Sequence, residues 1–221
     1  MGAKAILLLS GGLDSAVAGA LAVSRKRQLI ALSFDYGQRH KVELSRAKAQ
    51  AKALKIKRHV IVRLPLAGLA SGALVDGGKV NQGGPKKGKP STYVSFRNGV
   101  FLALAASLAE AEGAREIWGG WCGADFGGYP DCRADFFEAM NRAIRLGSWS
   151  GRRGKAVKIV APLGRLSKAS TLRLGKKLGV DFSRTWTCYA PLKGKACAKC
   201  DACRGRAAGF KDAKIQDSLR K

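Results

Sequence analysis

No apolar run in this chain approaches the ~20 residues that span a bilayer. The longest, at residues 5–9 and 100–108, stop well short, which excludes a membrane-spanning helix. The amino terminus has one early lysine and a short apolar run that enters Ser10-Gly11-Gly12 without a cleavage-site pattern. It does not read as a signal peptide, and a cytoplasmic location is expected. Acid is scarce: 15 Asp+Glu stand against 41 Lys+Arg, a formal net charge of +26. Internal repeats are absent. Apolar material is not, at 46% of 221 residues. That supports one domain, or one domain with a small appendage, burying roughly 70% of the surface of its unfolded chain. A disordered tail and a disulfide-stapled miniprotein are excluded.

The positive charge is spread along the chain, at Arg25-Lys26-Arg27, Lys86-Lys87, Arg152-Arg153 and Lys176-Lys177, so it is not a basic tail. Two readings stay open. One is a solvated surface; the other is a nucleic-acid or acidic protein partner, because such a field attracts any polyanion.

Apolar periodicity predicts strands at residues 3–9, 29–34 and 58–64, with helices at 14–25 and 42–54 between them. A helix at 98–112, a strand at 116–121, a helix at 135–146 and a strand at 157–161 follow. Ser167 reads as the N-cap of a helix running to 178, which Gly179 ends. Strands alternating with helices of about a dozen residues predict an α/β fold, a parallel sheet with right-handed crossovers and helices on both faces. Residues 76–91 hold five glycines, two prolines and four lysines without periodicity, the pattern of a long mobile loop. Residues 147–155 read as a second flexible basic stretch. From Trp186 the composition becomes rich in Cys, Lys and Gly, ending in a polar helix. The expected division is a nucleotide-binding domain over residues 1–183 and a small lobe over 184–221.

Ser10-Gly11-Gly12-Leu13-Asp14-Ser15 sits where a buried strand stops and a helix begins. Backbone N–H groups and the positive helix end can converge there on an anion, glycines allow close approach, and the serines can donate hydroxyl hydrogen bonds. Asp14 should repel phosphate unless a magnesium ion lies between them. The Walker pattern and the dinucleotide fingerprint G-x-G-x-x-G are both absent, which argues against a P-loop NTPase and a Rossmann dehydrogenase. What remains is the S-G-G-x-D-S signature of the ATP pyrophosphatases, which cut ATP between its α and β phosphates.

Four of the six cysteines crowd together: Cys197-x2-Cys200-x2-Cys203, with Cys188 nine residues upstream. Four thiolates at this spacing suit one tetrahedral centre. Zinc is favoured, although a four-iron cluster shares the C-x2-C-x2-C spacing. A fully sulfur-ligated zinc has no open position, which assigns the centre to folding rather than catalysis. Lys193, Lys195, Lys199 and Arg204 lie nearby to offset thiolate charge. Cys122 and Cys132 read as semi-buried free thiols, and His40 and His59 as structural or solvent-facing.

Beyond the loop, the chain carries Ser33-Phe34-Asp35-Tyr36-Gly37-Gln38-Arg39-His40, Tyr93-Val94 with Arg97-Asn98, Gly128-Tyr129-Pro130-Asp131-Cys132-Arg133, Ala161-Pro162-Leu163, Leu166-Ser167-Lys168-Ala169 and the terminal cysteines. In this order, over nearly the whole length, they resemble the 7-cyano-7-deazaguanine synthases of queuosine biosynthesis. The resemblance implies an adenine-nucleotide α-hydrolase-like fold with structural zinc on Cys188, Cys197, Cys200 and Cys203, and a homodimer. It also implies an AMP-forming carbon–nitrogen ligase. Such enzymes adenylate 7-carboxy-7-deazaguanine with ATP and Mg2+, let ammonia displace AMP, and dehydrate the amide to a nitrile with a second ATP. By the resemblance Ser10, Gly11, Gly12, Leu13, Asp14 and Ser15 hold pyrophosphate, Asp14 a magnesium ion, and Lys168 stabilises phosphate charge. Arg97, Asp125, Tyr129, Asp131 and Arg133 are candidates for the deazaguanine pocket. Between them they offer an acid for the N1–H and amine, an arginine for the carboxylate and a tyrosine to stack.

Two places depart from the family pattern. Ser95 and Phe96 stand where Pro and a small residue are usual, and Trp121-Cys122-Gly123 precede Asp125 where small or polar residues are. Loss of proline frees a backbone N–H and is expected to loosen the segment, and Phe96 to add bulk beside the substrate. This keeps open a divergent relative that adenylates the same or a similar acid and passes it to another amine. A tRNA-modifying relative or nucleic-acid-binding protein is the reading from another class, motivated by charge and opposed by the lack of interleaved aromatic and basic residues.

Overall fold

Helices cover both faces of the central sheet, and the strands alternate to serve them. The computed structural model describes residues 2–38, 41–66, 68–82, 88–123 and 128–220. Strands β1 (Lys4–Leu8), β2 (Gln28–Asp35), β3 (Arg58–Arg63), β4 (Glu116–Trp118) and β5 (Lys158–Val160) form one sheet in the order β3-β2-β1-β4-β5. All pairs are parallel, with Lys4 opposite Gln28 and Ala5 opposite Glu116. The helices are α1 (Leu13–Ser24), α2 (Val42–Ala53), α3 (Arg97–Glu112), α4 (Ala134–Gly147), α5 (Trp149–Arg152), α6 (Lys168–Lys177) and α7 (Asp201–Ala213).

Successive strand residues point to opposite faces. Ile6, Ile30, Leu32, Phe34 and Ile117 meet Leu102, Ala105 and Ala109 of α3 and Phe137 and Ile144 of α4 on one side. Ala5, Leu7, Ala31 and Trp118 meet Ala22 of α1 and Ala47 and Ala51 of α2 on the other. The outer face of α1, with Leu13, Val17 and Ala18, packs in turn on Leu172 of α6 and on Phe210 and Ala213 of α7. Such burial is worth about 1.5–3 kcal/mol per large side chain. The parallel α/β architecture is the one the periodicity predicts. The strand order reverses between β1 and β4, and in open α/β sheets ligands bind in the crevice beyond the strand ends at such a switch point.

Three sequence expectations change. The strand expected at 116–121 ends at Trp118, because Gly119 and Gly120 carry the chain beneath the start of α1. A Cβ on Gly120 would lie 2.4 Å from the Ser15 nitrogen, so only glycine permits the approach. The stretch 147–155 is not featureless: Ser148 accepts a hydrogen bond from Gly151 N and caps the turn α5. Glu110 also accepts from Ser150 N, at 2.7 Å. Within 76–91, residues 83–87 lie outside the described ones. The flanks are tethered rather than loose. Asp76 accepts from the Gly72 and Gly78 nitrogens, Asn81 N donates to Ser91 Oγ, and Val80 is buried among the terminal cysteines. No described helix is long and apolar enough to cross a membrane.

Candidate active site

The loop after β1 is built from its own hydrogen bonds. Ser10 Oγ accepts from Gly12 N at 3.2 Å and donates to Ser15 Oγ at 3.1 Å, while Ser15 Oγ donates to the Gly12 carbonyl. Gly11 has φ +81, and a Cβ there would sit 2.2 Å from the Glu43 carbonyl, so α2 presses on the loop. The Gly11 carbonyl accepts from Gln50 Nε2 at 2.8 Å and from Trp186 N at 2.9 Å. Gly12 caps α1 without a side-chain bond, leaving first-turn N–H groups aimed outward. Asp14, in that first turn, holds Lys168 Nζ with both oxygens, at 2.9 and 2.7 Å. Lys168 is delivered by α6, whose cap Ser167 accepts from Ser170 N.

These groups line one end of a cleft of about 1180 Å3 at the switch point. Tyr36, Glu43 and Arg97 line the same cleft, with Tyr189 from the C-terminal segment. Arg97 Nη1 donates to the Tyr36 hydroxyl at 3.1 Å. Burial alone would lower the Arg97 pKa, but Tyr36, Tyr189 and Glu43 raise it above the ordinary value. Burial pushes the Glu43 carboxyl up to about 7, against the pull of Arg97. It also pushes the Tyr36 hydroxyl up, again opposed by Arg97.

The candidate residues do not all reach the cleft. Ser10, Gly12, Leu13, Asp14, Ser15, Lys168, Arg97 and Tyr129 line it. Tyr129 shares a 2.7 Å hydrogen bond with Thr92. Asp131 is buried, and its Oδ2 accepts from Asn98 N, in the first turn of α3. Arg133 is exposed beside Asp135, at 3.6 Å. Asp125 and His40 lie outside the described residues. His59 Nε2 pairs with Ser33 Oγ at 2.8 Å, a structural contact, and burial lowers its pKa. Cys122 and Cys132 are more deeply buried than semi-buried thiols. Cys132 lines the cleft, with Asn98 Nδ2 donating to its sulfur at 3.3 Å. Sequence reasoning missed Glu43 and Asp201, both of which line the cleft.

The sulfurs of Cys188, Cys197, Cys200 and Cys203 all lie within 4.8 Å of one another and all four residues are buried. A tetrahedron with Zn–S bonds of about 2.3 Å has edges of about 3.8 Å, and Cys197 and Cys203 are 4.0 Å apart. Four irons would hold the sulfurs farther apart, so the donor set fits a single zinc ion. Backbone N–H groups of Cys197 and Cys200 point at the sulfurs of Cys188 and Cys197, as thiolate ligands require. Bound there, zinc would supply cross-linking and charge compensation, not an open coordination position.

The sequence profile described as queuosine biosynthesis protein QueC matches residues 4–214. The chain belongs to this family. It is 46% identical over 218 residues to the 7-cyano-7-deazaguanine synthase of Stutzerimonas stutzeri, covering 98% of this chain and 97% of that protein. Its identity to the synthase of the same name from Azotobacter vinelandii is 45%, over 98% of this chain and 97% of that one. Among solved structures, the NMN synthetase of Francisella tularensis superposes with a TM-score of 0.52 at 18% identity, covering 99% of this chain and 79% of that one. That likeness carries the fold alone.

Set within the QueC family, the two departures look different from their sequence expectation. Ser95 N–H is not freed: it donates to the Ser71 carbonyl at 3.3 Å, and the two hydroxyls bond at 3.0 Å. Phe96, at φ +54, turns its ring over Gly99 and edge-on to Phe136 at 5.7 Å. It is 55% exposed and does not line the cleft. The segment is pinned and the bulk of Phe96 lies outside, so the Ser95-Phe96 departure by itself gives no ground for a different amine acceptor. Trp121 does line the cleft, its ring tilted against that of Phe137 with centroids 4.6 Å apart.

Metal analysis is expected to find about one zinc per chain, and Cys200→Ser to lose it with a stability loss of at least ~3 kcal/mol in urea unfolding; full stability without metal contradicts the assignment. Glu43, with a folded pKa of about 7 against the ordinary 4.5, binds more protons folded than unfolded between those values. Its contribution to stability is therefore present at low pH and lost as pH rises through 7. Glu43→Gln is expected to gain up to ~3 kcal/mol on wild type between about pH 5 and about pH 8; parallel curves contradict this.

Proposed function

We propose that the chain converts 7-carboxy-7-deazaguanine and ammonia to 7-cyano-7-deazaguanine. The observation that carries this is 46% identity over 98% of the chain to a synthase of that name. In the proposed sequence the substrate carboxylate attacks the α-phosphorus of ATP and diphosphate leaves. Ammonia then adds to the acyl carbon, and AMP and a proton depart, leaving the amide. The amide oxygen takes a second adenylyl group, with loss of diphosphate. Expulsion of AMP with the remaining N–H protons forms the nitrile.

Such chemistry needs positioning and charge compensation more than a protein nucleophile. The N–H groups at Ser10 to Ser15 and the α1 dipole would hold the diphosphate. Lys168 would move from Asp14 to the phosphates as nucleotide arrives, and Asp14 would then hold Mg2+, whose charge offsets that of the phosphates. The cationic Arg97 suits the substrate carboxylate and Tyr129 the flat ring. Asp125, Asp131 and Arg133 stay in the proposed pocket set on the resemblance alone.

The same proposal keeps residues 1–183 as nucleotide domain, 184–221 as zinc lobe, and a homodimer. A cytoplasmic, reducing compartment suits it, because the four clustered buried thiols stay available there as ligands. A nucleic-acid or acidic partner is supported by the +26 charge.

Incubation with ATP, the acid and ammonium should give the nitrile by mass spectrometry, with AMP and diphosphate; ADP and orthophosphate in their place, or a final amide, contradicts the reading. Lys168→Ala should retain the fold and lower kcat by ~100-fold or more. A near-normal rate removes Lys168 from the chemistry.

A further inference from the structure

Parallel strands all begin at one edge of their sheet, and here that edge lies at the far end from the cleft. Each strand starts on or just after a cation. In the spatial order of the sheet these are Lys57 before β3, Lys26 before β2, Lys4 in β1, Arg115 before β4 and Lys158 in β5, all exposed. Strands about 4.8 Å apart make this a row of about 20 Å. None of the five has an ion-pair partner among the described residues. The acids of this edge are each engaged: Glu116 with Arg27, Glu112 with Arg58 and Glu110 with the Ser150 N–H.

At the β5 end of the row stands Trp149, 71% exposed, whereas Trp118, Trp121 and Trp186 are buried. Its turn is tied to the row, because Arg115 Nη1 donates to the Lys155 carbonyl and Lys155 N to the Ser150 carbonyl. The Arg153 guanidinium lies over the ring, 4.8 Å from its centroid. An exposed ring alone calls for no partner. Beside a row of free cations it completes a stacking site.

The chemistry of the edge selects among partners. A second copy of the chain would set like charge against like, since residues 139–180, which carry the ring, contain no Asp or Glu. A membrane surface would find little apolar area in Trp149 and Leu146, and an acidic protein would leave the ring idle. Duplexes keep their bases inside. Single-stranded RNA uses both features, because its phosphates pair with cations and its unpaired bases stack on aromatic rings and guanidinium planes.

We propose that this edge of the sheet docks single-stranded RNA, with phosphates along the row from Lys57 to Lys158 and an unpaired base on Trp149. The site is separate from the cleft and does not depend on the reaction proposed above.

The test is binding of a labelled, unstructured RNA of about 12 nucleotides, followed by anisotropy and by tryptophan fluorescence across a salt series. Heparin, a polyanion without bases, the DNA strand of the same sequence, and anionic phosphatidylserine vesicles are the comparisons. RNA should bind at roughly physiological salt and quench the fluorescence, whereas heparin should bind without quenching. Trp149→Ala should weaken RNA binding about 10-fold and abolish the quenching while heparin affinity stays within about twofold. The double variant Arg115→Ala, Lys158→Ala should lower the slope of log K against log salt by about 1. Melting temperature and zinc content, measured on all variants, should match wild type, since none of these residues lines the cleft. No binding at that salt, an equal effect of Trp149→Ala on RNA and heparin, or an unchanged slope in the double variant overturns the proposal. So does tighter binding of DNA or of the vesicles, or a dimer that Trp149→Ala dissociates.

Discussion

The carbonyl of Gly11 is the point on which the site depends. It takes one hydrogen bond from the Gln50 side chain of α2 and one from the Trp186 backbone. Three distant stretches of chain therefore meet at one oxygen of the anion loop. Gln50 Nε2 also donates to the Arg184 carbonyl at 3.2 Å, tying α2 to the segment that leads to the cysteines. Because Gly11 needs a positive φ and has no room for a Cβ, the loop has few alternative shapes. Its N–H groups are thus set before any ligand arrives, and such preorganisation makes backbone dipoles effective on phosphate.

That junction explains why the C-terminal segment belongs to the cleft. Trp186 packs with the four cysteines, and with Ala73, Leu74 and Val80 from the long loop. Arg206 closes the far side, bonding Asp217, Thr185 Oγ1 and the Phe182 carbonyl from a nearly fully buried position. Removal of either partner of this buried ion pair costs about 3–5 kcal/mol, because it leaves the other charge unpaired. A metal bound at the cysteines would hold in place the segment whose Trp186 N–H donates to the Gly11 carbonyl.

What the sequence made legible was local. The S-G-G-x-D-S loop, the caps at Ser167 and Gly179, the alternating strands and the cysteine spacing all follow from short-range rules, and the structure reproduces them. What stayed hidden was tertiary. Glu43 reads as an ordinary first-turn glutamate until burial and Arg97 are known. Asp201 reads as filler between two ligands; its one signal was being an acid in a chain with only 15. Asp131 looked like a pocket acid in a specific motif, yet its carboxylate is engaged at the first turn of α3. The early end of β4 depended on how close Gly120 must come to Ser15, which no period in the sequence encodes.

The Ser95-Phe96 exchange shows how a departure from a family pattern can be absorbed. Proline fixes φ and has no N–H to donate. Serine regains the donor, and here the donor meets Ser71, so rigidity lost from the ring is replaced by hydrogen bonding to a neighbouring loop. Phe96 then adopts a left-handed backbone, costly for a bulky residue at roughly 1–2 kcal/mol. Its ring recovers contact by lying over Gly99 and against Phe136. Gly99 is the permissive partner: any Cβ there would come within 2.2 Å of the ring. The exchange is thus a coupled set, Ser71 with Ser95 and Gly99 with Phe96, which holds Arg97 at the start of α3. The arginine keeps its aim at Tyr36 while the altered residues face outward, so divergence at this site changes the frame around the cleft and not its chemistry.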